Sequence, residues 1–394
     1  MKLTWFRAVT GFLLYDPASE SSPAPPAQHL VCSDKCISVE ILQPRFFPEL
    51  QSQRLKIRYG PLTAPSAHDN GGMASFYFPI QPPCTDCLLT HIQADLEYAN
   101  GSYANVNTGL SLHHVVIGNL RLPSVTCPYV PERLFASGNE RTPANICLNG
   151  TQKAGYHISD NDSFQFLAEL MNEVHEERAA VISIDWEFVP SAAAVMASSA
   201  FASVTPLWLD IAGTCGENGS EVAVPIITNT TATSNTSTGA MGGTPADAFS
   251  LVMDPPWTSN FSAKVLLALG HLHDGGIDLQ VIAKETNKDA VVCNSVAGYG
   301  ESAGYVVDHP VHHHDCGDDD DDHDHDHESQ HFTTEIALSS MSSCAASGVR
   351  IKAGEKWSVQ ANYNFTQHAA THSHEDGMPA PVMGITLMYV VKNS

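Results

Sequence analysis

Short apolar segments of alternating polarity, cut apart by Gly, Asn and Pro, recur through most of this chain: "ASFYFPI", "LHHVVIGN", "SFQFLAEL" and "AAVISIDWEFV". Successive side chains of a strand point to opposite faces, so such segments bury one face and wet the other. A series of them with turn residues between predicts an all-β chain built from antiparallel sandwiches. One segment, "SFQFLAELMNEVHEE", also fits helical spacing. The alternation in "QFLAEL" favours a strand followed by a turn. With 394 residues the chain is long enough for two cores. The expected architecture is two tandem antiparallel β-sandwich, jelly-roll-like domains with a cleft between them, over residues 31–212 and 213–394.

Three composition breaks punctuate this pattern. Residues 16–30 ("DPASESSPAPPAQHL") read as a Pro/Ser/Ala linker, residues 227–243 ("ITNTTATSNTSTGAMGG") as a polar loop, and residues 309–331 as a disordered Asp/His tract. The tract can act as a loose metal trap or as a solvated acidic loop. Residues 1–30 also carry Lys2 and Arg7 ahead of a short apolar run, Ala8 to Tyr15, with Ala18 in a cleavage-like region. That is a short signal-peptide pattern, with a mispredicted start as the alternative.

The formal charge is −24, from 43 acidic and 19 Lys/Arg residues. An acidic surface disfavours phosphate contacts, so no nucleic-acid partner is expected. The longest uncharged run, Phe188 to Leu209, is rich in Ser, Ala and Pro and makes a poor membrane span. Ten cysteines accompany N-x-S/T sequons at Asn100, Asn149, Asn161, Asn218, Asn229, Asn235, Asn260 and Asn364. Together they predict a secreted, extracellular glycoprotein with disulfides and N-glycans, its Cys pairing unreadable from sequence. "CTDC" (Cys84, Cys87) resembles a redox or zinc motif; in this setting both are expected to be halves of separate disulfides.

The chemistry gathers in histidines. In "LLALGHLHDGG", a strand places His271 and His273 on one face, with Leu272 on the other. "SLHHVV" supplies His113 and His114. Imidazole suits copper, zinc and nickel, and thioether selects Cu(I). A zinc hydrolase wants a third His or a carboxylate, and Asp274 would point away from the histidine face. Taken singly, an H-x-H, an adjacent His pair and Met383 each read as structural or core features. Only their combination and order argue for a metal site.

That order resembles the copper type II, ascorbate-dependent monooxygenases, the family of peptidylglycine α-hydroxylating monooxygenase and dopamine β-monooxygenase. The resemblance covers roughly residues 70–394 at low identity. The family opens its first copper site with an HH pair, here His113 and His114. It holds the second, dioxygen-binding copper with an H-x-H and a later Met. "GHLHDGG" and "VMGITLMYVV" supply these as His271, His273 and Met383. The resemblance implies two copper ions per chain on either side of a solvent-filled cleft, with ascorbate or another one-electron donor. It implies hydroxylation of a C–H bond in a small-molecule or extracellular substrate, using dioxygen. For the first site's third ligand, "AELMN" lays Met171 where the family has His, and His175 is the alternative. Asp274 or Asp278 is expected to orient an imidazole.

The chain also departs from that family. Where peptide-hydroxylating members hold a substrate carboxylate with Arg, Asn and Tyr, this sequence has Leu269, Ile385 and Leu387. A carboxylate there would be buried without a charge partner, at a heavy cost. A glycine-extended peptide is therefore not the expected substrate. No role is assigned to Glu140 and Arg141 in "FASGNERTP". His368, His372 and His374 read as surface residues or an accessory site. The rival function is a non-catalytic extracellular copper-binding or copper-scavenging protein; a weaker one is an adhesion sandwich with an incidental H-x-H.

Overall fold

A computed structural model of the chain describes residues 35–199, 201–215, 219–227, 244–284, 288–300, 306–307, 335–346, 348–371 and 378–393. Most of the loop at 227–243 and the Asp/His tract, with His312 to His314, lie outside the described residues, as do His372 and His374. The fold is all-β, as the alternation predicts. The first half contributes β1 (Cys36–Leu42), β2 (Gln53–Ala64), β3 (Met73–Ile80), β4 (Cys87–Glu97), β5 (Leu110–Pro123) and β6 (Pro131–Ser137). It continues with β7 (Ala154–Ile158), β8 (Phe164–Asn172), β9 (Arg178–Pro190), the short α1 (Ala192–Ser199) and β10 (Ala202–Asp210). The second half supplies β11 (Ala248–Val252), β12 (Ala263–Leu272), β13 (Gly276–Lys284), β14 (Ala290–Tyr299), β15 (Leu338–Met341), β16 (Lys356–Asn364) and β17 (Gly384–Lys392).

These strands form one long sheet flanked by two others. The long sheet runs β1-β2-β9-β4-β7-β10-β17-β12 and so passes through both halves. All its ladders are antiparallel except the parallel β7–β10 pair, Ala202–Val204 on Ala154–Tyr156. A four-stranded sheet, β3-β8-β5-β6, covers its first part, and a sheet ordered β11-β16-β13-β14-β15 covers its last. "QFLAEL" is a strand: β8 buries Phe164, Phe166, Ala168 and Leu170 against β2, β4 and β9, while Gln165, Leu167, Glu169 and Met171 are only half-buried.

The centre of the molecule lies where β12 and β17 are covered on both faces. Ala268, Leu272, Met388 and Val390 pack into the second sandwich. Leu267, Leu269, Met383, Ile385, Leu387 and Tyr389 pack into the core shared with the first half. Strands buried on both faces read as near-continuous apolar runs, which accounts for "VLLAL" and "ITLMYVV". The Tyr389 hydroxyl donates to the Leu134 carbonyl at 2.8 Å, tying β17 to β6.

Disulfides join Cys84–Cys87, Cys127–Cys215 and Cys293–Cys344. The first corrects the expectation that Cys84 and Cys87 pair elsewhere. A turn through Asp86, whose φ is +45°, leaves their Cα atoms 6.1 Å apart, within bridging range. Cys147 is buried and free.

Candidate metal centre

His113 and His114 sit on β5 where the ladder to β8 slips by one residue, between Leu112 and His114. Such a bulge re-aims side chains, and here it brings the two rings together, tilted by 55° with centroids 4.0 Å apart. His271 is the penultimate residue of β12 and His273 follows its end. The turn after them needs glycine: Gly275 has φ +86°, and a Cβ there would fall 2.4 Å from the Phe365 ring. The chain thus turns back directly beyond the second imidazole, into β13.

The two pairs meet in one cluster instead of facing each other across a cleft. Ring centroids lie 5.0 Å apart for His113 and His273, 5.1 Å for His114 and His271, and 5.3 Å for His114 and His273. The ligand atoms of His113, His114 and His273 all fall within 4.8 Å of one another. The first half supplies two rings and the second half supplies two.

Hydrogen bonds fix the tautomers of three of them. His273 Nδ1 lies 2.9 Å from the Pro381 carbonyl oxygen. A carbonyl only accepts, so Nδ1 carries the proton. His114 Nδ1 donates to Glu169 Oε2 at 2.6 Å, and His271 Nδ1 donates to Glu140 Oε1 at 3.1 Å. Burial, with neighbouring imidazoles adding to it, holds His113, His114 and His273 well below the usual imidazole range, so these rings are neutral. Burial alone would raise Glu140, but the adjoining His271 and backbone N–H groups outweigh it and keep the carboxyl below its ordinary value.

The Nε2 atoms of His114 and His273 then each present a lone pair. His114 Nε2 and His273 Nε2 point at each other across 3.1 Å, and His271 Nε2 is buried with no partner. A buried acceptor left unpaired costs about 1–3 kcal/mol, and two facing lone pairs add repulsion. A cation between His114 and His273 relieves that pair. The donor set therefore fits a metal with a preference for imidazole, copper among them. Nδ1 anchored to carboxylate or carbonyl is the usual support for a metal-bound histidine.

The thioethers predicted as ligands have definite places. β12 and β17 pair His271 with Ile385 and Leu272 with Gly384, so one step further sets Met383 beside His273. Met383 shares the core of Leu269 and Ile385, on the histidine face of the sheet. The Tyr363 hydroxyl accepts from the His273 N–H and donates to the Met383 carbonyl, locking the two backbones together. Met171 is on the Glu169 face of β8, opposite Ser111. His175 stands elsewhere: its exposed ring stacks on His68 with centroids 4.2 Å apart.

The acids that orient the rings are not the ones expected. Asp274 accepts from Leu338 N and Thr371 Oγ1, and Asp278 accepts from Asn362 Nδ2; both serve the second sandwich. Glu140 and Glu169 take the role instead. The sequence offered a signal only for Glu169, which shares a strand face with Met171 in "AELM". Leu269, Ile385 and Leu387 are buried in the shared core, where a carboxylate would meet no cation.

No protein-family model matches the chain. It is similar to the "probable copper-dependent oxygenase M1" of Phoma sp., 29% identical over 368 residues, spanning 93% of this chain and 78% of that protein. It is also similar to the "probable copper-dependent oxygenase clz3" of Cochliobolus lunatus, 28% identical over 305 residues, spanning 77% of this chain and 79% of that protein. A solved structure of recombinant N-glycanase F superposes with a TM-score of 0.35 at 9% identity, over 86% of this chain and 96% of that one, too loosely to bear on function.

Proposed function

We propose that the chain is a secreted copper-dependent monooxygenase that hydroxylates a C–H bond of a substrate other than a glycine-extended peptide. The observation that carries this reading is the convergence of ligand atoms from His113, His114 and His273, all within 4.8 Å of one another and drawn from both halves of the chain. The names of the two similar proteins support it. His113, His114 and His273, with His271 beside them, would hold the copper, and Met383 would offer a soft ligand from the neighbouring strand. Bound there, copper supplies one-electron redox chemistry to dioxygen, with ascorbate or a similar donor as the reductant.

The chain's own residues prepare that chemistry. Glu140, Glu169 and the Pro381 carbonyl hold protons on the Nδ1 atoms, so the Nε2 lone pairs face inward. Leu269, Ile385 and Leu387, buried in the shared core, offer no charge partner to a substrate carboxylate. Secretion is supported by three disulfides among the described residues and by sequon residues Asn100, Asn149, Asn161 and Asn260, which are exposed.

The test is copper-dependent, ascorbate-dependent oxygen uptake by purified protein, with copper content measured in parallel. His273→Ala is expected to lose the copper, and Met383→Ile to retain copper but consume oxygen more slowly. Failure of the wild type to take up copper sinks the reading. Copper bound without oxygen uptake over a broad substrate panel would establish the scavenging role instead.

A further inference from the structure

The four-stranded sheet carries a row of sulfur that leads to the histidine cluster. Strand order β3-β8-β5-β6 makes β3 an open edge. Hydrogen bonds verify which side chains share its outer face. Ser75 Oγ on β3 donates to Glu169 Oε1 on β8 at 3.1 Å, and Glu169 Oε2 accepts from His114 Nδ1 on β5 at 2.6 Å. Ser75, Glu169 and His114 thus form one transverse row. One pleat along, the register pairs Met73 with Met171 and Met171 with Ser111. Side chains two residues apart on a strand share a face, so both thioethers stand on the face of His114. The bulge inserts His113 between the two rows.

The opposite face of these strands is core: Phe78, Ile80, Phe164, Phe166, Ala168 and Leu170. Met73 and Met171 are half-buried on the wet side, among Ser75, Tyr77 and Glu169. Packing does not call for thioethers there. Directly paired residues have Cβ atoms about 5 Å apart, within the span of one ion held by two flexible Met side chains. Thioethers discriminate for Cu(I) against zinc and against harder cations.

We propose that Met73 and Met171 form a Cu(I) loading track, from the exposed edge of β3 through Met171 to His113 and His114. The proposal rests on the copper reading above. The ion moves by ligand exchange, thioether to thioether to imidazole, with no change of oxidation state. Met73 itself is not a ligand of the final centre.

Transfer of Cu(I) from its coloured bicinchoninate complex to metal-free protein tests this. The Met73→Leu variant, a volume-conserving change, is expected to load roughly tenfold more slowly, the scale of losing a partner just outside a metal's ligands. Its final copper content and its Cu(II) electron paramagnetic resonance spectrum should match the wild type, and Cu(II) uptake should keep its rate. Met253→Leu, a core thioether far from the row, controls for general effects of Met loss. Met73→Leu loading at the wild-type rate overturns the track while leaving the centre intact. A wild type that takes up no copper overturns the centre, and the track with it.

Discussion

Gly138 sets how closely the two halves can bring their imidazoles together. A Cβ at this position would lie 2.7 Å from the His113 carbonyl oxygen, 2.8 Å from His271 Cε1 and 2.9 Å from Glu140 Oε2. Its own N–H donates to Glu140 Oε1, the oxygen that also receives His271 Nδ1. Gly138→Ala and Glu140→Gln are therefore expected to weaken copper binding by roughly 10–100-fold, through displacement of His271 in the first and loss of its charged acceptor in the second. Competition with a chelator of known affinity measures this; unchanged affinity in both would remove the carboxylate from the centre. The H-x-H pair was legible because strand periodicity alone puts ring beside ring, whereas the rings of the HH pair come together only through the bulge at His113. Glu140 was not, because it reaches His271 only through a loop whose Arg141 takes φ +48° and through packing against a strand 131 residues later. Nothing local announces such a contact.

At the scale of the strand, β6 buries an acid at a cost. Glu132 is almost fully buried, and its carboxyl accepts from Tyr156, whose hydroxyl in turn accepts from Asn119 Nδ2. Burial raises its pKa to about 7, against the opposing pull of the Tyr156 hydrogen bond. The unfolded chain releases that proton near the ordinary value of 4.5, so between 4.5 and about 7 the folded state binds more protons than the unfolded one. Stability from this group is complete below pH 4.5 and declines as pH rises towards 7, by up to about 3 kcal/mol. Glu132→Gln should flatten that part of the stability–pH curve and raise stability at neutral pH. Denaturant midpoints at pH 5 and pH 8 give the comparison, and equal pH slopes in variant and wild type would refute it. Alternation made β8 readable as a strand despite its helical spacing. β12 and β17 were readable as strands, but not as strands covered on both sides, because a sequence does not say which second layer its apolar run meets.

At the scale of the molecule, two imidazoles of the cluster come from each half of the chain, so a metal shared between them would join the halves. Ligand that binds only the folded state stabilises it by RT ln(1 + [L]/Kd), about 2.7 kcal/mol at a hundredfold excess over Kd. Copper or zinc should therefore raise the Tm of the whole protein in a single transition, and chelation should lower it again. A Tm shift confined to one of two separate transitions would mean that the rings do not meet. The expectation of two centres separated by solvent came from the family resemblance, not from the spacing of the motifs along the chain. Spacing cannot report that one sheet runs uninterrupted from β1 to β12.

That continuity has a mechanical meaning. Swinging the halves apart like the covers of a book would tear the β7–β10 and β10–β17 ladders along the spine. His271, at the end of β12, is accordingly tied by that spine to the strands of the first half.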